Sequence, residues 1–157
     1  MSTKNYLIHT KKYKLLITTV HSIYRLINST YERKDLISRL SRLICQIFDA
    51  RSCQITLLDP TEQFSIFKCL ISGKKKFIVD KRMRVVNRLE RKLVKTVTSI
   101  KQNYLLGIPM VCDEVMGLII VRRGKETSPF DYFDQELLIT ITEQATIGLK
   151  NLQLYEE

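Results

Sequence analysis

The sequence predicts an α+β domain in which helices bracket an antiparallel sheet of five to six strands. Apolar periodicity runs along the chain in the order helix, helix, strand, strand, basic helix, strand, strand, helix. Neighbouring strands are joined by short polar turns, which antiparallel pairing allows. The 157 residues correspond to one domain, which is large enough to bury a core without disulfides or a metal.

The first 30 residues predict a helical extension, 1–30, that precedes the main domain at 31–157. An apolar seam runs along this helix with alternating spacings of three and four residues, as in a heptad pattern. Its members are Tyr13, Leu16, Val20, Ile23, Ile27 and Thr30. Ser29 and Glu32 have the spacing of a capping box, which predicts a second helix with a broad apolar face over about 33–48.

Two hairpins are predicted in the middle of the chain. The first joins 53–58 to 64–71, where β-prone residues flank a turn that contains Asp and Pro. The second joins 103–112 to 115–121 through a two-residue turn. Because the strands of the second hairpin are strongly apolar, we expect them to lie centrally in the sheet.

Two more helices complete the predicted order. Residues 84–98 predict an amphipathic helix with one basic side, and its apolar side consists of Val86, Leu89, Leu93 and Val97. The last helix is expected to start near Asp131, where acidic residues suit the positive end of the helix dipole, and to extend to 155. It carries a second heptad-like seam, made of Leu138, Ile141, Ala145, Gly148, Leu152 and Tyr155.

The formal net charge of +10 is concentrated in one segment. Residues 68–95 contain eleven Lys and Arg against two acidic residues. This basic segment has three interpretations: a solvated helix face, a receptor for an anion, or a surface for nucleic acid or anionic lipid. Nucleic acid is disfavoured because no aromatic residue lies within 78–103 and no helix-turn-helix spacing precedes the basic helix.

Several function classes lack their sequence signals. No run of 18 apolar residues is present, and the N-terminus lacks the features of a signal peptide, so a cytoplasmic protein is expected. The four cysteines match no zinc or disulfide spacing, so we expect reduced, buried thiols and no metal site. No catalytic Ser/His/Asp set, carboxylate pair or Gly-rich phosphate loop can be assembled, so an enzyme is not predicted.

The C-terminal half resembles a GAF domain, a family of sensory and regulatory domains. It has a Pro-containing strand, a polar hairpin, a Gly-containing strand, a loop that ends in Phe, an acidic start to the last helix and a Gln-Ala stretch within it. The matching residues are Ile108-Pro109-Met110, Asp113-Glu114, the strand 115–121, Phe130, Phe133-Asp134-Gln135-Glu136, Leu137-Leu138, and Gln144-Ala145 through Asn151-Leu152. With the upstream helix and hairpin, the resemblance covers roughly 30–155.

The resemblance implies a PAS/profilin-like arrangement. The N- and C-terminal helices would lie on one face of the sheet, and the segment 74–102 would cover a ligand pocket on the other. Guanidinium groups near such a pocket would suit a small anion, since they bind phosphate or carboxylate in a fork. The implied ligand-binding candidates are Arg84, Arg88, Lys92, Tyr104 and Cys69.

Departures from the family patterns argue against known GAF cofactors. Arg122-Arg123 stand where cyclic-nucleotide binders have Asn-Lys, and Gln135 replaces an acid. His9 and His21 both lie in the N-terminal helical region, so neither haem nor bilin is supported. The Trp and clustered cysteines of free methionine sulfoxide reductases are also missing. We therefore expect no cofactor.

The two seams suggest how a signal would be relayed. In many GAF proteins the first and last helices pair with those of a second chain and lead to an output domain. A homodimer would use Leu16, Val20, Ile23, Ile27, Ile141, Ala145, Gly148 and Leu152; the alternative is that they pack on their own sheet. The predicted function is a sensory domain of a signal-transduction protein, acting on an output domain in cis or a partner protein.

Two further expectations complete the sequence-based interpretation. The alternative function is a ligand-free interaction module that uses 68–95 to bind an acidic protein or nucleic acid. The last seam reaches Tyr155 without a Gly or Pro stop, which suggests that the helix continues in a longer protein.

Overall fold

The computed structural model describes the backbone of residues 3–156 and the side chains of residues 11–153. Over this range it contains one antiparallel sheet of seven strands, in the order β3-β2-β1-β7-β6-β5, with β4 paired to β2. The strands are β1 Ser52–Leu58, β2 Phe64–Ser72, β3 Lys75–Val79, β4 Met83–Arg84, β5 Ile100–Gln102, β6 Leu105–Cys112 and β7 Glu114–Arg122. The predicted α+β class is confirmed. The short strands β3, β4 and β5 lie outside the two predicted hairpins and bring the count to seven, above the expected five to six.

Helices cover both faces of the sheet, as predicted. They are α1 Thr3–Asn28, α2 Arg33–Ile47, α3 Arg88–Thr96 and α4 Tyr132–Glu156. The larger core lies between one sheet face and α1, α2 and α4, and a smaller core lies under α3 on the other face. Successive strand side chains point to opposite faces, so β1, β6 and β7 contribute to both cores. Within the described range, no helix is long and apolar enough to cross a membrane.

The predicted capping box at the start of α2 is wrong. Glu32 occupies the cap position, and no side chain caps the helix there. The Ser29 hydroxyl instead donates to the Leu26 carbonyl at 3.2 Å. The Ser29 hydroxyl therefore bonds to the last turn of α1 and does not cap the start of α2.

The basic helix is shorter than the predicted 84–98. Asn87 ends the preceding extended segment, and its side-chain oxygen accepts a hydrogen bond from the Glu90 amide at 3.1 Å, which starts α3. Val97 has φ 53° and ends the helix in the left-handed conformation. Val86 is consequently outside the helix and 75% exposed.

The second hairpin turns more tightly than predicted. Cys112 pairs with Glu114, which leaves only Asp113 between the strands, at φ 65°. Its strand β7 lies between β1 and β6, as expected for a fully apolar strand. Gly117 is required there, because a Cβ at this position would collide with the Thr56 carbonyl oxygen of β1.

Candidate functional site

The region beneath α3 was expected to form a ligand pocket, and side chains fill much of it. Leu93 and Val94 of α3 are buried against Leu118 and Ile120 of β7. A Cβ on Gly107 of β6 would lie 3.0 Å from Leu93 Cδ1, so its absence lets the helix lie directly on the sheet. The contact between α3 and β6–β7 is therefore a packed core.

A polar cluster continues this contact towards β1 and β2. Glu90 of α3 is only 5% exposed. Its Oε1 accepts a hydrogen bond from Gln54 Nε2 at 2.5 Å and lies 3.5 Å from Lys68 Nζ. Gln54 Nε2 also donates to Thr56 Oγ1 at 3.1 Å. Because a buried carboxylate is costly unless it is paired and hydrogen-bonded, these contacts hold α3 in one position on the sheet.

Sequence reasoning missed the role of Glu90 and counted it only as an acid within the basic segment. The available signal was its position: it lies three and four residues before Leu93 and Val94, on the buried side of the helix. An isolated acid on the apolar face of a basic helix predicts a buried partner. The sequence did not identify that partner, because Gln54 and Lys68 belong to other elements.

The three basic ligand candidates lie on the outer surface. Arg84 belongs to β4 and not to the helix, Arg88 is the first residue of α3, and Lys92 lies one turn later. All three are exposed. Helical spacing was expected to place them on one face, but the cap at Asn87 separates Arg84 from the other two.

The remaining two ligand candidates lie elsewhere in the fold. Tyr104 is in the turn between β5 and β6. Cys69 points to the opposite face of the sheet from α3, where it belongs to the larger core, and its Sγ lies 3.9 Å from Ser38 Oγ of α2. The five predicted residues are thus not brought together in one site.

The other thiols of the larger core are held in their neutral form. Burial raises the pKa of Cys45 to about 11, although nearby Arg42 opposes the shift. Burial also raises the pKa of Cys53 well above its usual value. At neutral pH both groups are thiols and therefore poor nucleophiles.

The predicted dimer residues lie largely inside the chain. Ile23 of α1, and Ile141 and Ala145 of α4, are fully buried in the larger core, and Leu152 is nearly so. The half-buried members are Leu16, Val20 and Ile27. The two seams meet each other and the sheet within one protomer, as in the alternative interpretation, so these side chains are largely unavailable to a second chain.

Gly148 marks the closest approach of α4 to α1. A Cβ at this position would lie 2.8 Å from Ile27 Cγ2. Gly148 thus allows the branched Ile27 side chain to pack directly against the α4 backbone. The two terminal helices interlock at this point.

One side of α1 exposes a stripe of apolar residues that includes two members of the predicted seam, Tyr13 and Val20. Tyr13 is 65% exposed, Ile17 49% and Tyr24 61%. With the half-buried Val20 between them, their spacings of four, three and four residues place them along one side of the helix. We call Tyr13, Ile17, Val20 and Tyr24 the α1 stripe.

The start of α4 is tied to the rest of the fold by Arg123. Its Nε donates to the Phe48 carbonyl at 2.8 Å, and its guanidinium lies 4.4 Å from the centre of the Phe130 ring. Its Nη1 also lies 3.7 Å from Asp134 Oδ2. Asp131 and Asp134 cap the helix reciprocally, because each carboxylate accepts a hydrogen bond from the backbone amide of the other.

Comparisons with known proteins find this architecture among solved structures. No protein-family model and no curated protein matches the chain. The GAF domain of Acinetobacter phosphoenolpyruvate-protein phosphotransferase matches with a TM-score of 0.71 and 18% identity, over 98% of this chain and 97% of that one. The GAF-B domain of DevS from Mycobacterium smegmatis matches with a TM-score of 0.67 and 10% identity, over 80% of this chain and 98% of that one.

An enzyme has the same architecture. Free methionine-R-sulfoxide reductase from Neisseria meningitidis, in complex with its substrate, matches with a TM-score of 0.72 and 8% identity, over 89% of this chain and 91% of that one. At these identities the similarity establishes the fold alone. The GAF resemblance predicted from the sequence is confirmed at the level of the fold.

Proposed function

We propose that the chain, which has the GAF fold, is a sensory or regulatory domain of a signal-transduction protein and has no catalytic activity of its own. It would act as a homodimer, bind a small molecule and pass the signal through α1 and α4 to an output domain in cis or a partner protein. The observation that carries this proposal is the interlock of the terminal helices at Gly148 and Ile27. Because of this close contact, a displacement of α4 would also move α1.

The close packing of α1 against α4 suits this helix pair to the transmission of a signal. Packed interfaces tend to switch between discrete arrangements instead of deforming continuously. Arg123 links the start of α4 to the end of α2 and to the loop after β7. A change at the sheet end that carries this loop would therefore reach α4 first and then α1.

The α1 stripe is the surface that we assign to the second copy. Tyrosines suit such a contact, since each offers a large apolar body and a polar tip. The seam residues of the sequence-based hypothesis, such as Ile23 and Ile141, are already used within the protomer. The exposed stripe lies on the same helix, so it keeps the dimer contact next to the proposed relay.

Sedimentation velocity at micromolar concentration tests the dimer. We expect the unmodified protein to sediment as a dimer, and Ile17→Glu or Tyr24→Glu to shift it to monomer. Val86→Glu is the matched control, because Val86 is even more exposed than Ile17 and Tyr24 but lies beside α3 on the other face. A protein that is monomeric throughout, or a dimer that both stripe variants leave intact, would refute the proposed contact.

The thiols support the absence of catalysis. Cys45 and Cys53 have raised pKa values because they are buried, and Cys69 is fully buried beside α2. Methionine sulfoxide reductase activity that Cys69→Ser abolishes, with Cys112→Ser unchanged, would contradict this part of the proposal.

A second candidate function is favoured by the exposed charge of the basic segment. Ten of its eleven cations are exposed, and the remaining one, Lys68, is half-buried and pairs with Glu90. Such a surface fits an interaction module that binds an acidic protein or nucleic acid without a small ligand.

Heparin chromatography distinguishes this candidate from the first. If the basic segment is the binding surface, changing Arg84, Arg88 and Arg91 to Glu should abolish retention at moderate salt. The control changes Lys14, Arg25 and Arg42 to Glu, which removes the same charge from exposed positions outside the segment. Equal loss in both triple variants would reflect net charge alone and would argue against an assigned surface.

A further inference from the structure

A basic cleft lies at one end of the sheet, away from the packed region under α3. Its volume is about 640 Å³, and it is formed by the turn between β5 and β6, the start of β1 and the loop after β7. Its cationic lining consists of Arg51, Arg122, Arg123 and Lys125, and Glu126 is its one carboxylate.

Antiparallel pairing brings these distant residues together. The Arg51 amide donates to the Arg122 carbonyl at 2.8 Å, where β1 begins beside the end of β7. The Arg123 amide donates to the Tyr104 carbonyl at 3.0 Å on the other side of β7. Backbone hydrogen bonds at this end of the sheet therefore fix the backbone positions of Arg51, Arg122 and Arg123.

The cations of the cleft differ in whether their side chains already have partners. Arg123 is committed to Phe48, Phe130 and Asp134. Among the residues that the structure describes, Arg51, Arg122 and Lys125 form no side-chain hydrogen bond or ion pair. The carboxylate of Glu126 lies against Gly124 instead of pairing with them.

We infer that this cleft binds a small organic anion that carries a phosphate group. Cations around one cleft repel each other, and an anion bound among them would reduce that repulsion while it accepts charge-assisted hydrogen bonds. Tyr104 and Leu105 add aromatic and apolar surface for the rest of the molecule. The volume is within the range of small-molecule sites. The inference does not depend on the relay proposed above, since binding can be measured with or without a dimer.

Isothermal titration calorimetry at low salt tests the site with two probes, inorganic phosphate and phenyl phosphate. We expect both to bind, and phenyl phosphate to bind more tightly because its ring can contact Tyr104. Arg122→Gln and Arg51→Gln should each weaken binding about tenfold or more. Arg25→Gln removes the same charge from an exposed position outside the cleft and should change affinity by less than about twofold.

The outcomes separate the inference from simple charge effects. Equal weakening by Arg122→Gln and Arg25→Gln, or no saturable binding of either probe, would overturn it. If Arg122→Gln lowers the urea midpoint of unfolding, its weaker binding could reflect lost stability. The Arg51→Gln variant, at an exposed position, then tests the inference. Loss of heparin retention in the cleft variants without binding of either phosphate would indicate a polyanion and would also overturn the inference.

Discussion

The interlock of α1 and α4 predicts an energetic coupling between Gly148 and Ile27. In Gly148→Ala, the new Cβ would lie 2.8 Å from Ile27 Cγ2 and 3.2 Å from Cγ1. Carbon atoms prefer about 3.5–4.0 Å, so the helices must separate by roughly 0.5–1 Å. Overpacking of this kind costs about 1–3 kcal/mol, and the better helix propensity of Ala over Gly returns about 0.8–1.0 kcal/mol. The net destabilisation should therefore be about 0–2 kcal/mol.

Removing the opposing side chain should reverse the sign. In an Ile27→Ala background the close contact is absent, so Gly148→Ala should stabilise the protein by about 1 kcal/mol. The coupling between the two positions is then about 1–3 kcal/mol. Urea unfolding followed by circular dichroism measures it, at one fixed protein concentration because unfolding of a dimer depends on concentration.

A distant pair provides the control for this cycle. Gly148→Ala and Val86→Ala lie on opposite faces of the sheet and should be additive within about 0.5 kcal/mol. If Gly148→Ala has the same effect with Ile27 and with Ala at position 27, the two helices do not interlock there. The basis for the proposed relay would then be lost.

Three other predictions concern stability. Gly117→Ala should destabilise the protein by about 2–3 kcal/mol in urea unfolding, since the colliding Thr56 oxygen is backbone and cannot rotate away; a change below about 0.5 kcal/mol would refute the close approach. Asn87→Ala should cost about 1 kcal/mol through loss of the α3 cap, with Asn87→Asp as the conservative control. Burial raises the pKa of Asp59, but hydrogen bonds and Arg82 outweigh it and lower the pKa overall. The Asp59 carboxylate therefore stabilises the folded protein fully at pH values above about 3.9, the pKa of Asp in an unfolded chain, and this stabilisation is lost as the pH falls further. Asp59→Asn should consequently make the urea midpoint less dependent on pH between pH 5 and 3.

Local patterns predicted most of the fold because each pattern reports on burial near it in the chain. The four helices and both hairpins follow from apolar spacing within single segments. The strands β3, β4 and β5 escaped prediction because they contain only five, two and three residues and exist through pairing with β2 or β6. The Ser29 capping box failed because the same hydroxyl can end one helix or start the next.

The candidate sites were less predictable for a related reason. A run of Lys and Arg shows where charge is concentrated, but not which cations already have partners. Lys68 is drawn to Glu90, whereas Arg51 and Arg122 have no such partner. These two arginines are 71 positions apart in the sequence, and only the register of β1 with β7 places them at one cleft.

The sequence by itself determined the α+β class, the approximate segments and the presence of an apolar seam on each terminal helix. Only the tertiary structure decided which surface each seam meets. A heptad-like seam defines the side of a helix that must be buried, because burial removes apolar surface from water whatever the partner is. Ile23 and Ile141 meet that requirement inside their own chain, whereas Tyr13, Ile17 and Tyr24 on the same first helix remain exposed.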